Sequence, residues 1–324
     1  MTNTRKKKTS LCDILNIKYP IIMAPMFLVS NEDMLVEAIK AGITGCLPAL
    51  NYRTDEKFRT ALTSIRNRIK GPIGVNLIVN KSNIKFKQQL KTCVDLKVDY
   101  IITSLGSPEK TIIACKPHGI KVFCDVVDVN YAKKVEQLGC DAIIAVNKEA
   151  GGHCGPTPAS TLIPNLLAQC AIPIISAGGV SDGMQMKEKL ELGACGISMG
   201  SPFIATDEAG VSEAYKQAIV DYGVADIVLS EKLSGSPCTV INTPYVQKVG
   251  TKRNFIETFL SKNKRLKKFI KMLTFYNGTK ALEKAAFSTT YDTVWCAGPS
   301  IEGVKSIRPV AQVVQELIEE FENS

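Results

Sequence analysis

Residues 149–155 (Glu-Ala-Gly-Gly-His-Cys-Gly) carry the side chains of this chain that are best suited to chemistry. The run contains His153, one of two histidines among 324 residues, and it follows the apolar run 142–146. Gly151 and Gly152 lack a Cβ, so the backbone there can turn with positive φ and lie against a flat or charged ligand. An imidazole at such a place suits a catalytic base. The alternative interpretation is an ordinary turn with a surface histidine, and the motif alone leaves both open.

Two later loops combine glycine with groups that can bind an anion. Residues 176–179 (Ser-Ala-Gly-Gly) offer backbone N–H groups to a dianion, and Ser181 or Asp182 suits the N-cap of a following helix. Residues 200–202 (Gly-Ser-Pro) repeat the arrangement, with Ser201 as a candidate N-cap and Pro202 at the first helical position. Each loop alone is also explained as a plain strand-to-helix turn. Together they favour a phosphate site.

Eight short apolar runs position these loops, and they recur at the spacing of strand–helix units. The runs are residues 21–24, 43–47, 73–79, 100–103, 122–127, 142–146, 172–176 and 196–199. Polar-faced helical patterns separate them at 31–41, 57–69, 85–96, 132–138 and 183–192. Continuous apolar strands alternating with helices indicate a parallel sheet covered by helices, and eight of them predict an α/β fold, a (β/α)8 TIM barrel. A doubly wound open sheet is the alternative, but no G-x-G-x-x-G turn follows either of the first two runs.

The strand–helix rhythm divides the chain into four predicted parts. We expect an N-terminal tail and lead-in at 1–18, the barrel at 19–224, a mostly helical cap or substrate subdomain at 225–306, and a closing helix on the barrel at 307–324, where 310–321 is amphipathic. The basic stretch 262–271 lies in the cap. It lacks interleaved aromatic residues, so a solvated helix face is favoured over a nucleic-acid site, although it would also suit an acidic protein partner.

Composition narrows the class of protein. The hydrophobic fraction of 45% is typical of a globular core, and no apolar run approaches the roughly 20 residues of a membrane helix. Eleven scattered cysteines without a C-x-x-C pair favour a reducing cytoplasm over a disulfide framework or a zinc site. No acidic cluster indicates a metal. We expect a cytoplasmic protein with no membrane or nucleic-acid partner, and we leave its oligomeric state open, with a homodimer as one option.

The active site of a barrel lies at the C-terminal ends of its strands. The first predicted strand ends in residues 24–26 (Ala-Pro-Met), the third contains Asn76, and the fifth ends near Asp125. Ser107 and Lys148 also lie near strand ends, and the sequence assigns no role to them or to Asp125. A phosphate site, a glycine-lined wall and one imidazole together predict a phosphate-bearing cofactor beside a reacting centre.

Taken together, these residues resemble the nitronate monooxygenase family, which also includes flavin-dependent enoyl-acyl-carrier-protein reductases. The resemblance covers nearly the whole chain. The segments that carry it are 19–26 (YPIIMAPM), 74–77 (GVNL), 149–155 (EAGGHCG), 176–180 (SAGGV), 198–201 (SMGS) and 294–300 (VWCAGPS). Each segment alone is unspecific, but the ordered set is highly specific.

The resemblance implies an FMN-binding TIM barrel and assigns roles to individual residues. Residues 24–26 would run along the isoalloxazine, Asn76 would hydrogen-bond it, and His153 would face the substrate as catalytic base or anion-orienting group. The implied cofactor-binding residues are Ala24, Pro25, Met26, Asn76, Gly151, Gly152, Ser176, Gly178, Gly179, Gly200 and Ser201. Two positions depart from the family pattern: Val146-Asn147 replaces a common Gln-Gly pair, and Gly298-Pro299 replaces a common Gly-Gln pair. These departures weaken the expected polar contacts at those positions.

The activity implied by the resemblance is FMN-dependent oxidation of an alkyl nitronate by dioxygen to a carbonyl compound and nitrite. The alternative is reduction of an enoyl thioester on acyl carrier protein with a nicotinamide donor, for which the basic stretch 262–271 would suit the acidic carrier. A barrel that only senses a phosphorylated metabolite, and a catalytic cysteine at Cys154, are weaker hypotheses.

Overall fold

Eight parallel strands close into a barrel in the computed structural model, which describes residues 9–232, 237–252 and 294–324. Each strand pairs with the one before it, and the last pairs with the first. The strands are β1 (Ile21–Met23), β2 (Thr44–Pro48), β3 (Ile73–Ile78), β4 (Tyr100–Ser104), β5 (Lys121–Val126), β6 (Ala142–Val146), β8 (Ile174–Ala177) and β9 (Gly196–Met199). All eight predicted runs become barrel strands, with ends that differ by no more than two residues. The predicted (β/α)8 barrel is therefore confirmed.

The described residues form eleven α-helices, most of which cover the outside of the barrel. They are α1 (Leu11–Leu15), α2 (Glu32–Lys40), α3 (Asp55–Arg68), α4 (Phe86–Asp95), α5 (Glu109–Cys115), α6 (Val129–Gln137), α7 (Ala159–Leu167), α8 (Gly183–Glu191), α9 (Glu213–Asp221), α10 (Pro244–Val249) and α11 (Val310–Asn323). Polar N-caps begin several of them: Asn31, Thr54, Asp128 and Asp182 each accept a backbone N–H from the first turn. Of the two candidate caps for α8, Asp182 is the one used.

The lower half of the barrel is solid. The side chains of each strand point alternately into and out of the barrel. Those that point inward form one apolar cluster, and Leu11 and Leu15 of α1 cover its N-terminal end. The Tyr100 ring occupies the space that a side chain at Gly74 would need, because a Cβ there would lie 2.2 Å from the ring. The Tyr100 hydroxyl donates to the Gly45 carbonyl at 2.9 Å. Because this end is filled, a ligand can enter the barrel only from the C-terminal end.

A small antiparallel sheet stands beside that C-terminal end. Its order is β10 (Ile227–Ser230), β11 (Cys238–Ile241) and β7 (Gly152–His153), so it joins the loop after β6 to a segment some 85 residues later. The sequence did not predict these strands. Residues 253–293, which include the basic stretch 262–271, and residues 1–8 lie outside the described residues. The mostly helical character of 225–306 and the four-part division therefore stay predictions.

Two further observations concern the described residues. None of their helices combines the length and the apolar character needed to cross a bilayer. None of the eleven cysteines, which all lie among these residues, forms a disulfide, and seven of them are buried, as expected of small hydrophobic side chains.

Candidate active site

A cavity of about 600 Å³ opens at the C-terminal end of the barrel. It brings together residues from eight different strand ends and from the segment 294–300. The predicted site residues that line it are Ala24, Pro25, Met26, Asn76, Gly151, Gly152, His153, Gly178, Gly179, Gly200 and Ser201. Residues that are up to 177 positions apart in the sequence thus converge on one space, as a barrel requires.

Ser176 is the one predicted site residue that the structure does not bring to the cavity. Its neighbours Ile175 and Ala177 belong to the barrel interior, so alternation turns Ser176 outward toward the helix layer. Its side chain is fully buried, and its Oγ has no hydrogen-bond partner among the described residues. Ala177 lines the cavity instead. The role of Ser176 in binding a cofactor stays a prediction, which the outward position of its side chain does not favour.

His153 lies on the short strand β7, which β11 holds in place. His153 pairs with Cys238 in register and Gly152 pairs with Thr239. The Thr239 hydroxyl donates to the Ala150 carbonyl at 2.8 Å and so fixes the chain just before the paired glycines. The imidazole keeps accessible surface because it faces the cavity, but protein atoms surround it. This burial lowers the pKa of His153, so the ring is neutral at pH 7 and able to accept a proton.

The loop after β8 needs glycine at two positions. Gly178 and Gly179 both have positive φ, +107° and +73°. A Cβ at Gly178 would lie 2.4 Å from the Ala150 nitrogen, and one at Gly179 would lie 2.5 Å from a Glu149 carboxylate oxygen. The β6 and β8 loops therefore touch backbone to backbone at Gly178, where a side chain has no room. At Gly179 the close neighbour is the Glu149 side chain, and it is mainly the positive φ that favours glycine.

Asn147 connects the same two loops. Its side-chain amide donates to the Gly178 carbonyl at 3.0 Å and its oxygen accepts the Glu149 N–H at 2.8 Å. It is fully buried, so the asparagine at this departure from the family pattern is a structural link between loops. The neighbouring Val146 lines the cavity and contributes apolar surface.

Several backbone amides around this corner remain available to a ligand. The N–H groups of Gly178, Gly179, Val180 and Gly200 donate to no other described residue. All four residues line the cavity. Unused amides on two adjacent loops are the donors that an anionic oxygen needs.

Ser201 does not have the predicted role of a helix N-cap. It begins the 3₁₀ turn Ser201–Ala205, whose N-cap is Gly200, so Ser201 does not cap a helix. Its hydroxyl oxygen accepts the Gly298 N–H at 2.9 Å. Pro299 then starts a second 3₁₀ turn, a position where the missing N–H costs nothing. The pair Gly298-Pro299, which departs from the family pattern, thus forms a backbone contact between distant segments.

The wall formed by residues 24–26 offers little hydrogen bonding to a ligand. The Ala24 N–H donates to the Met199 carbonyl at 2.8 Å, the Met26 N–H donates to the Ser30 hydroxyl at 3.0 Å, and Pro25 has no N–H. What this wall presents is mainly apolar surface. A Cβ at Gly200 would lie in ordinary van der Waals contact with Met26 and Ala24 atoms at 3.5–3.6 Å, so Gly200 packs beside this wall.

Three polar side chains from adjacent strands form a chain on the cavity floor. The Asn76 amide donates both to the Ile102 carbonyl at 3.1 Å and to the Ser104 hydroxyl oxygen at 2.8 Å. The Ser104 hydroxyl donates onward to an Asp125 carboxylate oxygen at 2.5 Å. Because both amide hydrogens are used, Asn76 can present only its oxygen Oδ1 to a ligand.

Asp125 ends this chain of hydrogen bonds, and the pKa of its carboxyl departs from the ordinary value. Burial raises the pKa of its carboxyl to about 6, and the hydrogen bond from Ser104 opposes that rise. The carboxylate has no ion pair with a described residue. The sequence placed Asp125 at a strand end without a role, and it did not single out Ser104. Their adjacency follows from the parallel register of β4 and β5.

Two buried aromatic residues support the opposite wall. Tyr215 of α9 stacks on Trp295 at 5.5 Å between ring centroids, and its hydroxyl donates to the Cys296 carbonyl at 2.6 Å. Tyr215 and Cys296 both line the cavity. Sequence reasoning missed Tyr215, because nothing in α9 alone indicates which residue faces the cavity.

Cys154 follows His153 and lies at the cavity edge, where it was a candidate nucleophile. Burial raises the pKa of its thiol, which keeps it protonated at pH 7. A protonated thiol is a poor nucleophile. Cys154 is therefore a poor candidate nucleophile, and among the described lining groups His153 and the carboxyl of Asp125 can accept a proton near neutral pH.

Known proteins resemble this chain over most of its length. The family model described as nitronate monooxygenase matches residues 82–320. A (3aS,4S,5R,7aS)-5-hydroxy-7a-methyl-1-oxo-octahydro-1H-indene-4-carboxyl-CoA dehydrogenase of Rhodococcus jostii is 27% identical over 288 residues, 89% of this chain and 80% of that protein. A probable nitronate monooxygenase of Staphylococcus saprophyticus is 29% identical over 289 residues, 75% of this chain and 81% of that protein.

Solved structures agree with the fold. FabK from Thermotoga maritima superposes with a TM-score of 0.84 at 27% identity, over 98% of this chain and 97% of that one. A nitroalkane oxidase from Streptomyces ansochromogenes superposes with a TM-score of 0.80 over 97% and 98% of the two chains. Its identity to this chain is 21%, so this comparison supports the fold and nothing about the activity.

Proposed function

Because this chain belongs to the nitronate monooxygenase family and is thus a flavin-dependent oxidoreductase, we propose that it uses FMN and dioxygen to oxidise alkyl nitronates to a carbonyl compound and nitrite. One observation carries the proposal: the neutral imidazole of His153 and the unused amides of two glycine loops face the same cavity. A base beside an anion-binding corner is the arrangement that a phosphate-bearing cofactor and a proton-losing substrate need.

The residues present fit FMN. The free N–H groups of Gly178, Gly179 and Gly200 suit its phosphate, and the apolar wall 24–26 suits one face of a flat ring. Asn76 Oδ1 is an acceptor that suits the imide N–H of such a ring. The chemistry that a bound flavin supplies is electron transfer between substrate and dioxygen.

His153 performs the proton transfer. A nitroalkane carries an acidic C–H beside its nitro group, and the neutral imidazole accepts that proton to give the nitronate and an imidazolium. The imidazolium then balances the charge of the nitronate that it has just formed. Desolvation of the imidazole by the surrounding protein favours the neutral ring before the substrate arrives.

The direct test is an absorbance spectrum of the pure protein followed by a nitrite assay. We expect flavin bands in the visible range, release of FMN rather than FAD on denaturation, and nitrite formed from nitroethane or 2-nitropropane in the presence of oxygen. A colourless protein, or a yellow one that forms no nitrite from either compound or its nitronate, would contradict the proposal.

A second candidate is reduction of an enoyl thioester with a nicotinamide donor. It is favoured by the apolar upper lining of the cavity, which includes Phe27, Leu50, Ile78 and Val127 and suits an acyl chain, and by the 98% coverage in the comparison with FabK. Anaerobic addition of NADH or NADPH separates the two candidates. Rapid bleaching of the flavin supports the reductase, whereas bleaching by a nitroalkane alone supports the oxidation proposed above.

A further inference from the structure

Leu105, which follows β4 and lines the cavity, has a left-handed backbone with φ +61°. A side chain destabilises this conformation, whereas glycine adopts it freely. Three other described residues that are not glycine share it, with φ between +48° and +63°: Asn16, Leu28 and Lys97. Asn16 and Lys97 lie at the C-terminal ends of α1 and α4, where a left-handed residue is a usual helix stop. Leu105 follows a barrel strand instead, so a helix end does not explain its conformation.

Neighbouring segments hold the β4 loop in this conformation. The Val79 N–H donates to the Ser104 carbonyl at 3.0 Å, and a Cβ at Gly106 would lie 3.0 Å from backbone atoms of Val79. The Tyr131 hydroxyl of α6 donates to the Gly106 carbonyl. The backbone on both sides of Leu105 is therefore fixed, and a strained conformation persists where its surroundings determine it in this way.

The strained backbone presents an apolar side chain to solvent. Leu105 is 44% exposed and Val127, which follows β5, is 36% exposed, and both line the cavity. Packing within the protein therefore does not account for leucine at a position where glycine would avoid the strain. Apolar surface left open at the mouth of a cavity is typical of surface that a ligand covers.

These two side chains belong to an apolar sector of the cavity mouth. The residues of this sector end or follow four successive strands, β2 to β5, and they are Leu50, Ile78, Leu105 and Val127. In an eight-stranded barrel, strands that are four places apart face each other across the axis. β3 thus faces β8 and β4 faces β9, whose loops carry the unused amides of Gly178 and Gly200. A substrate bound beside a cofactor whose phosphate occupies that corner meets apolar surface on the other side of the mouth.

We propose that Leu105 is a specificity-determining residue and that the apolar sector binds an alkyl chain of the substrate. This inference rests on the proposed function, which supplies the reacting group at the head of that chain. The preferred substrate is then a nitronate, or its parent nitroalkane, whose chain is long enough to reach Leu105. Nitroethane and 2-nitropropane remain substrates but lack the group that this sector binds.

The test measures dissociation constants of straight-chain carboxylates, from acetate to octanoate, for the flavin-loaded protein by titration calorimetry. A carboxylate is a planar anion like a nitronate, but it is chemically inert here. Burial of one methylene group strengthens binding about fourfold. We therefore expect affinity to rise by about this factor for each methylene group that reaches the apolar sector, whereas acetate reports the head group alone.

Three variants separate binding of the chain from a structural role. Leu105→Gly removes the side chain and relieves the strain, so it should flatten the dependence on chain length and raise the urea midpoint of unfolding. Leu105→Asn should also flatten that dependence, because asparagine tolerates the left-handed backbone but is polar. Lys97→Gly is the matched control, because it relieves the same kind of strain, at φ +48°, before the opposite end of β4. It should raise the midpoint and leave every carboxylate affinity unchanged.

Three results would each overturn the inference: affinities in wild type that do not rise with chain length, a dependence that persists in Leu105→Gly, or a lower unfolding midpoint in that variant. Carboxylate binding requires no turnover, so these results are separate from the nitrite assay. A protein that shows the dependence on chain length but forms no nitrite would retain the chain site and lose the proposed function.

Two kinetic measurements distinguish the sources of such a chain. A lower KM for 1-nitrohexane than for nitroethane, with the difference lost in Leu105→Gly, assigns the chain to a nitroalkane. Anaerobic reoxidation of the reduced flavin by a 2-octenoyl thioester, without nitrite formation from either nitroalkane, assigns it to an acyl group and contradicts the head group proposed here.

Discussion

The hydroxyl oxygen of Ser201 accepts the backbone N–H of Gly298 at 2.9 Å and so joins two segments that lie 97 residues apart. Gly151 lies in the same contact, because a Cβ there would approach the Ser201 Oγ to 2.8 Å and the Gly298 nitrogen to 3.0 Å. Three parts of the cavity wall, from the β6 loop, the β9 loop and the C-terminal segment, thus meet at one hydroxyl group.

Ser201→Ala should loosen this junction. The variant leaves the buried Gly298 N–H without an acceptor, which costs about 1–3 kcal/mol of the free energy of unfolding. We also expect weaker flavin retention, measured as the FMN:protein ratio after gel filtration. Ser64→Ala, on α3 and away from the cavity, is the matched control and should change neither quantity. Full flavin retention in Ser201→Ala would mean that the junction does not shape the cofactor site.

Gly178→Ala tests the contact between the β6 and β8 loops. The new Cβ would lie 2.4 Å from the Ala150 nitrogen, and φ is +107°, so both a clash and backbone strain arise. Gly139→Ala is the control, because Gly139 also has positive φ, +90°, but has no atom within 4 Å of the added Cβ. We expect both variants to lose about 1–2 kcal/mol through strain, and only Gly178→Ala to lose FMN. Comparable flavin contents in the two purified variants would argue against a cofactor role for this loop.

The barrel could be predicted from the sequence because its strands are largely apolar runs, and a buried parallel strand needs no polar face. The three-stranded sheet could not. β7 has only two residues, and it is a strand solely because Cys238 and Thr239 pair with it from far along the chain. The sequence around Gly152 and His153 does not indicate which distant segment pairs with them.

The part of the candidate site that lies at the ends of predicted strands could be predicted from the sequence. His153 and the glycine loops come directly after apolar runs, so their convergence follows from barrel geometry alone. The outward position of the Ser176 side chain was predictable, since a two-residue period places Ser176 and Ala177 on opposite faces. The bond between Ser104 and Asp125 was not predictable, because it depends on how β4 and β5 are aligned.

Gly74→Ala should destabilise the lower barrel. The added Cβ would overlap the Tyr100 ring, which is fully buried and stacked on Phe123. We expect a loss of about 1–3 kcal/mol in the free energy of unfolding, measured by urea denaturation. Tyr100→Leu in the same chain gives the Cβ room, so the double variant should lose less than the sum of the two single changes. Additive losses would show that the ring and Gly74 do not compete for space.

His153→Asn should separate proton transfer from the later steps. Asparagine cannot accept the α-proton, so we expect turnover of neutral nitroalkanes to fall by about 10²-fold or more, while FMN remains bound. Turnover of a preformed nitronate should fall much less. Cys154→Ala is the control and should leave both rates unchanged. Equal losses on nitroalkane and nitronate would mean that His153 is not the base.

Asp125 should give the protein an unusual dependence of stability on pH. Its carboxyl has a pKa of about 6 in the folded state and about 3.9 when unfolded, so between these values the folded state holds the extra proton. Stability that is present below pH 4 is therefore lost as the pH rises toward 6, by at most about 3 kcal/mol. Asp125→Asn removes this loss, so its free energy of unfolding relative to wild type should increase over that window and then level off. Asp55→Asn is the contrast, because hydrogen bonds from Thr92 and Arg59 lower the pKa of Asp55, so that variant should become less stable than wild type as the pH rises. Urea denaturation at a series of pH values measures both differences, and parallel curves for Asp125→Asn and wild type would show that the buried carboxyl is not titrating there.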